Sequence, residues 1–201
     1  MARPREFDVD QALHAALRLF WERGYEDASL TDLACTMGIV RPSLQAAFGS
    51  KEDLYRQAID LYGRETMAFV ANSIRATTAA EVARLYLKGY CDILSDQDTP
   101  SGCFMIKGLA STGRSAAVAR QESANRLETY EALLEQRFVQ AQEEGDLSIE
   151  VDADILAQTL TVIANGLAVR ADMGAPRTIL HRVADLTLNA LFPENSMPAC
   201  I

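Results

Sequence analysis

Between Arg41 and Lys51 the chain carries side chains suited to hydrogen bonding and close contact in a nucleic-acid groove. If residues 41–48 are helical, Leu44, Ala47 and Phe48 fall on one side; at about 100° per residue, Pro42, Ser43, Gln45 and Ala46 fall on the other. A glutamine amide can make paired hydrogen bonds to adenine N6 and N7, and Pro42 and Ala46 offer small apolar surfaces that fit thymine methyls. Arg41 and Lys51 supply positive charge for phosphates, with Lys51 just beyond the helix end. A short helix showing only small or hydrogen-bonding residues outward can lie in a major groove, where bulky apolar ones could not approach the base edges.

The preceding residues form the element that would position this face. Leu30, Leu33, Ala34 and Met37 recur at i, i+3, i+4 and i+7, with Ser29 or Thr31 able to cap the helix. Thr31, at the start of that helix, joins the DNA-facing set. Gly38 accepts the left-handed backbone of a tight turn, and Ile39 drops between the two helices. Upstream, Asp8 or Asp10 opens a helix carrying Val9, Leu13, Ala16, Leu17 and Phe20. Gly24 closes it, and Trp21 and Tyr25 complete a small three-helix core. His14 has no metal-ligand partner at helical spacing and reads as structural or surface. Residues Met1 to Phe7 form an arm whose Arg3 and Arg5 either reach a minor groove or belong to a frayed terminus. Two short amphipathic helices joined by glycine also occur in all-α proteins that never touch DNA, so spacing alone leaves both readings open.

Resemblance decides between them. Leu30 to Phe48 followed by Gly49-Ser50-Lys51-Glu52-Asp53-Leu54, with Arg3-Pro4-Arg5-Glu6-Phe7, Leu17 to Tyr25 and Arg41-Pro42-Ser43-Leu44 in register, resembles the N-terminal domain of TetR-family transcriptional regulators. About the first third of the chain is covered. Two positions depart: Gln45 stands where the family usually has a tyrosine, and Val40 where a capping Ser or Asn is common, which leaves that helix without a side-chain cap. The resemblance implies an all-α protein with an N-terminal three-helix helix-turn-helix DNA-binding domain, residues 1–50, and a C-terminal helical bundle for effector binding and dimerisation, residues 51–201. It implies a homodimer on a palindromic double-stranded DNA operator, acting as a repressor released by a small effector; an activator is the alternative.

Composition limits the other classes. A formal net charge of -9 and a pI near 4.7 argue against a broad basic surface and against membrane adhesion. Through Arg56 acidic residues outnumber basic ones, so any DNA-facing patch must be local, built from Arg3, Arg5, Arg41 and Lys51. Cys35, Cys91, Cys103 and Cys200 lack C-x-x-C spacing and nearby histidines, which indicates neither a metal site nor a disulfide framework and fits a reducing cytoplasm. No signal-peptide run or spanning segment is read. An enzyme lacks its parts: two distant histidines, no H-E-x-x-H, no G-x-S-x-G and no phosphate loop, hence no catalytic residues and no cofactor.

The rest of the chain reads as helices. Ser50 with Asp53 forms a capping box for a helix whose Leu54, Tyr55, Ala58, Ile59, Tyr62, Phe69, Val70 and Ile74 keep one face apolar for about 24 residues, a possible lever. Glu81 to Ser95 is apolar nearly all round. Asp96 to Gly102 is a loop, Cys103 to Ser111 starts a short helix, and Arg120 to Glu144 is amphipathic. Tyr62, Phe69, Tyr86, Tyr90, Phe104, Met105, Tyr130 and Phe138 are either ordinary core or the lining of a small, largely apolar effector site between the long helix and those after it. Cys103 is either a packed core cysteine or, if Ser101 or Gly102 starts its helix, a first-turn thiol favoured as thiolate; that opens the alternative of a redox or electrophile sensor. In the last two helices, Asp154 to Met173 and the one after Pro176, Ile179, Val183, Leu186 and Ala190 form one stripe while Leu180, Ala184, Leu188 and Leu191 form a second. The stripes serve either an internal helix or a two-fold dimer contact; Leu188 and Ala164 are the positions chosen to probe it.

Overall fold

The first helix starts where the sequence can satisfy its free N–H groups: the Asp8 carboxylate accepts from the backbone N–H of Asp10 and Gln11 at 2.9 and 3.2 Å, and α1 runs Val9–Asp27 with a kink at Gly24. The computed structural model describes residues 7–193. Among them are ten helices and no strand, so the chain is all-α. The helices divide between two units: one extends through Met67 and takes in Asp98–Leu127, and the other comprises Ala68–Gln97 and the chain from Glu128 onward.

In the first unit α2 (Leu30–Thr36), α3 (Arg41–Phe48) and α4 (Lys51–Glu65) follow α1. Ser29 caps α2 through the Asp32 N–H at 3.1 Å. Gly38, at φ 66, makes the turn into α3 that a side chain would strain. Ser50 and Asp53 form the reciprocal capping box expected for α4. α1 and α4 run antiparallel: His14 meets Glu65, and Tyr25 meets Lys51. Between them Phe20 and Tyr25 each set a ring 5.3 Å from Tyr55, edge to face. The returning segment brings α7 (Phe104–Ala110) and the first part of α8 (Ala117–Glu143) onto this core. There Tyr55 packs 5.2 Å from Phe104, and its hydroxyl is paired with Ser123 at 3.3 Å. A Cβ on Gly108 would collide with both hydroxyls, so that glycine is required for the contact.

The second unit holds α5 (Ala68–Ser73), α6 (Ala79–Leu94), the rest of α8, α9 (Ala153–Asp172) and α10 (Arg177–Leu191). Thr78 caps α6, and the Asp146 carboxylate accepts the Ala79 N–H at 2.6 Å. Asp152 caps α9. Gly89 admits the Phe69 ring, which a Cβ would strike. Buried Arg137 donates to the carbonyls of Ala76 and Thr77 at 2.9 Å, closing the end of the α5 region.

One element differs from expectation. The long apolar stripe from Leu54 to Ile74 is two helices, because the backbone turns at Thr66 and Met67, where the N–H groups of both residues reach the Tyr62 carbonyl. The break coincides with the passage from the first unit to the second after Met67, so the stripe from Leu54 to Ile74 is not one continuous lever.

Candidate nucleic-acid interface

The outer face of α3 rests on a rigid back. Leu44 is 0% and Phe48 3% exposed, while Arg41, Pro42, Gln45 and Ala46 are exposed and Ser43 is half-buried. Val40 occupies the cap position without a side-chain bond, its side chain 66% exposed. No ion pair among the described residues engages Arg41, which leaves its guanidinium available. Thr31 is exposed in the first turn of α2. Phe7, the first described residue, lies 6.4 Å from Phe48, ring to ring; Arg3 and Arg5 lie outside the described residues.

Lys51 is half-buried, its ammonium 4.4 Å from the Tyr25 ring centroid and 3.4 Å from the Glu26 carbonyl. Burial pulls its pKa down against the opposing pull of Glu26, Glu52 and Asp27. The ring and carbonyl hold the cation in one place and leave donors over for an anion. Four of the acidic side chains in this region have hydrogen-bonding or ionic partners of their own. Asp53 is held below the usual carboxylate range by the Ser50 hydroxyl and N–H, and by Arg56. Asp32 is lowered by Ser29 and has Arg23 at 3.7 Å. Glu52 is hydrogen-bonded to Tyr25. Glu26 accepts from the Ser115 hydroxyl at 2.6 Å.

The aromatic candidates for an effector separate into two sets. In the first unit Tyr62 lies 5.6 Å from Phe104, next to Met105, and both rings contact Trp21, at 4.9 and 6.4 Å. In the second, Phe69, Tyr86 and Tyr90 pack within 5.3–6.2 Å of one another, and Tyr130 and Phe138 are buried. Trp21 joins this set without a ligand-type signal in the sequence, which shows only that it stands three residues before the kink at Gly24 on the inward side of α1.

Cys103 is the N-cap of α7 rather than a first-turn residue, and it is buried. Burial pushes its thiol pKa up, while the Tyr62 hydroxyl, donating to Sγ at 3.4 Å, and the N–H groups of Ile106 and Met105 pull the other way without reversing the shift. The net effect favours the thiol form. Cys91 is likewise raised by burial, to about 11.

On α10, Leu180, Ala184 and Leu188 are buried, whereas Ile179, Val183 and Leu186 are exposed. On α9 Ala164 is buried and Ile155, Val162 and Val169 are exposed, with Met173 just past its end. Leu188 and Ala164 therefore face their own unit, and a charge at either position would disturb folding rather than probe a surface. Val162 follows Ile155 by seven residues and Val169 follows Val162 by seven, a helical spacing that marks all three for one face.

Residues 12–58 match the family profile described as bacterial regulatory proteins, tetR family, and residues 79–186 match the tetracyclin repressor-like C-terminal domain. The HTH-type transcriptional repressor ComR of Escherichia coli K12 is 32% identical over 198 residues, covering 96% of this chain and 92% of that protein. The transcriptional regulator YezE of Bacillus subtilis is 30% identical, with 95% and 100% covered. Among solved structures, a cysteine mutant of the TetR family regulator CifR, complexed with 26-bp double-strand operator DNA, superposes with a TM-score of 0.89 at 32% identity, covering 95% of this chain and 100% of that one. No helix among the described residues is long and apolar enough to cross a membrane. The outward face of α3, its backing and these matches along nearly the whole chain lead to one conclusion: the chain belongs to the TetR family of bacterial transcriptional regulators.

Proposed function

We propose that the chain binds a palindromic operator as a homodimer, represses the genes beside it, and leaves the DNA when a small, largely apolar effector binds. The observation that carries the reading is the exposed face of Pro42, Gln45 and Ala46 on a helix pinned by buried Leu44 and Phe48. In this reading Gln45 reads adenine, Pro42 and Ala46 pack on thymine methyls, and Thr31, Arg41, Ser43 and Lys51 hold phosphates. Arg3 and Arg5 enter the neighbouring minor groove. The two copies meet through α9 and α10, placing their α3 helices one helical turn, or a multiple of it, apart. Tyr62, Phe104 and Met105 in one unit, and Phe69, Tyr86, Tyr90, Tyr130 and Phe138 in the other, are the candidate effector contacts. Cys103 serves there as a protonated, apolar wall. Repression is preferred over activation because ComR, similar over nearly the whole chain, is named a repressor.

Gel-shift titration of the protein on the DNA upstream of its own gene tests this. Saturation at two protomers per operator, with binding surviving excess random DNA, is expected. Equal affinity for operator and random DNA would overturn it. A transcriptional reporter carrying that DNA separates repression from activation by the sign of its response.

A further inference from the structure

Within the first unit α1, α2 and α4 start alike and α3 does not. Asp8 opens α1, Ser29 opens α2 and Ser50 opens α4, each with a side-chain oxygen that accepts a backbone N–H of the first turn. Val40 opens α3 from the same extended backbone, at φ -85 and ψ 151, and has no atom with which to accept. Pro42 lacks an N–H, so a cap at this point would serve the Ser43 N–H, and valine leaves it unserved. Nor does Val40 pack on its own chain. In the extended stretch Ile39 is half-buried, whereas Val40 turns outward and is 66% exposed. Two other helices start without a cap bond for reasons of their own: Cys103 at α7 is buried, and Pro176 at α10 brings a ring-fixed φ. Val40 has neither reason. It gives up a cap bond and holds an apolar side chain in water, next to exposed Arg41 and Pro42.

We infer that Val40 reads a base: its methyl groups pack on the C5-methyl of a thymine in the major groove. The inference rests on the operator reading above and adds to it one residue and one base position. The start of a recognition helix is the part that reaches base edges, and the thymine methyl is the apolar group displayed there. Valine is compact, and its branched side chain is restricted to few rotamers, so ordering it at a contact costs little. With a rise of about 1.5 Å per residue, Val40 lies roughly 7 Å along the helix from Gln45, which is about two base pairs at ~3.4 Å each. The thymine should stand that far from the adenine assigned to Gln45.

Replacing each thymine of the operator in turn by uracil tests this, since uracil lacks only the methyl. Affinity is measured by gel shift for the full wild-type chain, Val40→Ala and Val40→Ser. At one position in each half-site the wild type should lose about fourfold in affinity, the scale of one buried methyl-sized group. Neither variant should respond to the same exchange. Val40→Ser should also melt at a higher temperature than wild type, because its hydroxyl supplies the missing cap. Val40→Ala, uncapped like valine, separates loss of the methyl contact from the effect of the cap. Variants that keep the wild-type response to uracil at every position would overturn the inference and leave the operator reading standing. So would a Val40→Ser chain that melts below wild type, since the side chain would then be packing within its own protomer. A wild type with equal affinity for operator and random DNA would remove the reading and the inference together.

Discussion

The exposed faces of α3 and of α9–α10 are built alike and finished differently. Each helix keeps a buried stripe, Leu44 and Phe48 in α3 and Leu180, Ala184 and Leu188 in α10, which fixes the direction of the other face. The α3 face then carries proline, serine, glutamine and alanine, whereas the α9–α10 face carries valine, isoleucine, methionine and leucine. Hydrated base edges reward small hydrogen-bonding groups, and a second apolar surface rewards area removed from water. The backing tells that a face is held; the chemistry of the face tells what it is held for.

If this contrast is right, lesions in the two regions should separate DNA binding from self-association. The largest effect belongs to the backing: Phe48→Ala should cost ~3–5 kcal/mol of stability in the first unit and abolish operator binding, while dimer mass in sedimentation is retained. Loss of dimer mass would mean that the faces are not independent. Next, Gln45→Ala should loosen one base position in each half-site, worth ~1–3 kcal/mol of discrimination, without changing thermal stability. A uniform loss of affinity over all sequences in a binding-site selection would reassign Gln45 to the backbone. Lys51→Ala should weaken all sequences alike and reduce the salt slope by about one counterion per half-site. An unchanged slope would show that the Tyr25 ring keeps this cation from the phosphates.

The smallest effect concerns His14. Its Nδ1 lies 2.8 Å from the Asp10 carbonyl and its Nε2 2.8 Å from the Glu65 carboxylate. Both oxygens accept, so both nitrogens donate only in the imidazolium, and the pKa is raised, first by the Asp10 carbonyl and then by Glu65. A raised folded-state pKa means that the contribution is full below the ordinary histidine value, near 6.5, and is lost as pH rises through the raised value. The pair is half exposed, so it contributes at most about 1 kcal/mol. His14→Gln should therefore lower the melting temperature at pH 6 and match wild type at pH 9. A constant gap would assign the loss to packing.

The parts of this molecule that follow from neighbouring residues were legible in the sequence. The α2–turn–α3 stripes, the Ser50–Asp53 capping box and the two-sided pattern of α10 all depend on residues within a few positions of one another. What was illegible depends on distance. At Thr66 and Met67 themselves no glycine or proline marks the break, Gly63 lying inside α4, and the apolar stripe runs through it unchanged. The return of residues 98–127 to the first unit, and with it the pairing of Glu26 with Ser115 and of Tyr55 with Ser123, depends on contacts some 70 to 90 residues apart in sequence. Cys103 was legible as one of two alternatives, a packed core cysteine or a first-turn thiol; the chain that buries it at the N-cap includes Tyr62, about 40 residues away in sequence, and decides for the first. Lys51 was placed correctly in the first turn of α4, while the ring that holds it came from α1.

Trp21 is the chain's only tryptophan, and it is buried edge-on against Tyr62 in the first unit. Its emission is thus a built-in optical probe of that unit alone, whereas helical ellipticity averages over the whole chain. Following both signals through one denaturant titration compares the two units without labels or truncations. Coincident curves mean that they melt as one cooperative body, and an earlier tryptophan transition means that the DNA-binding unit can loosen by itself.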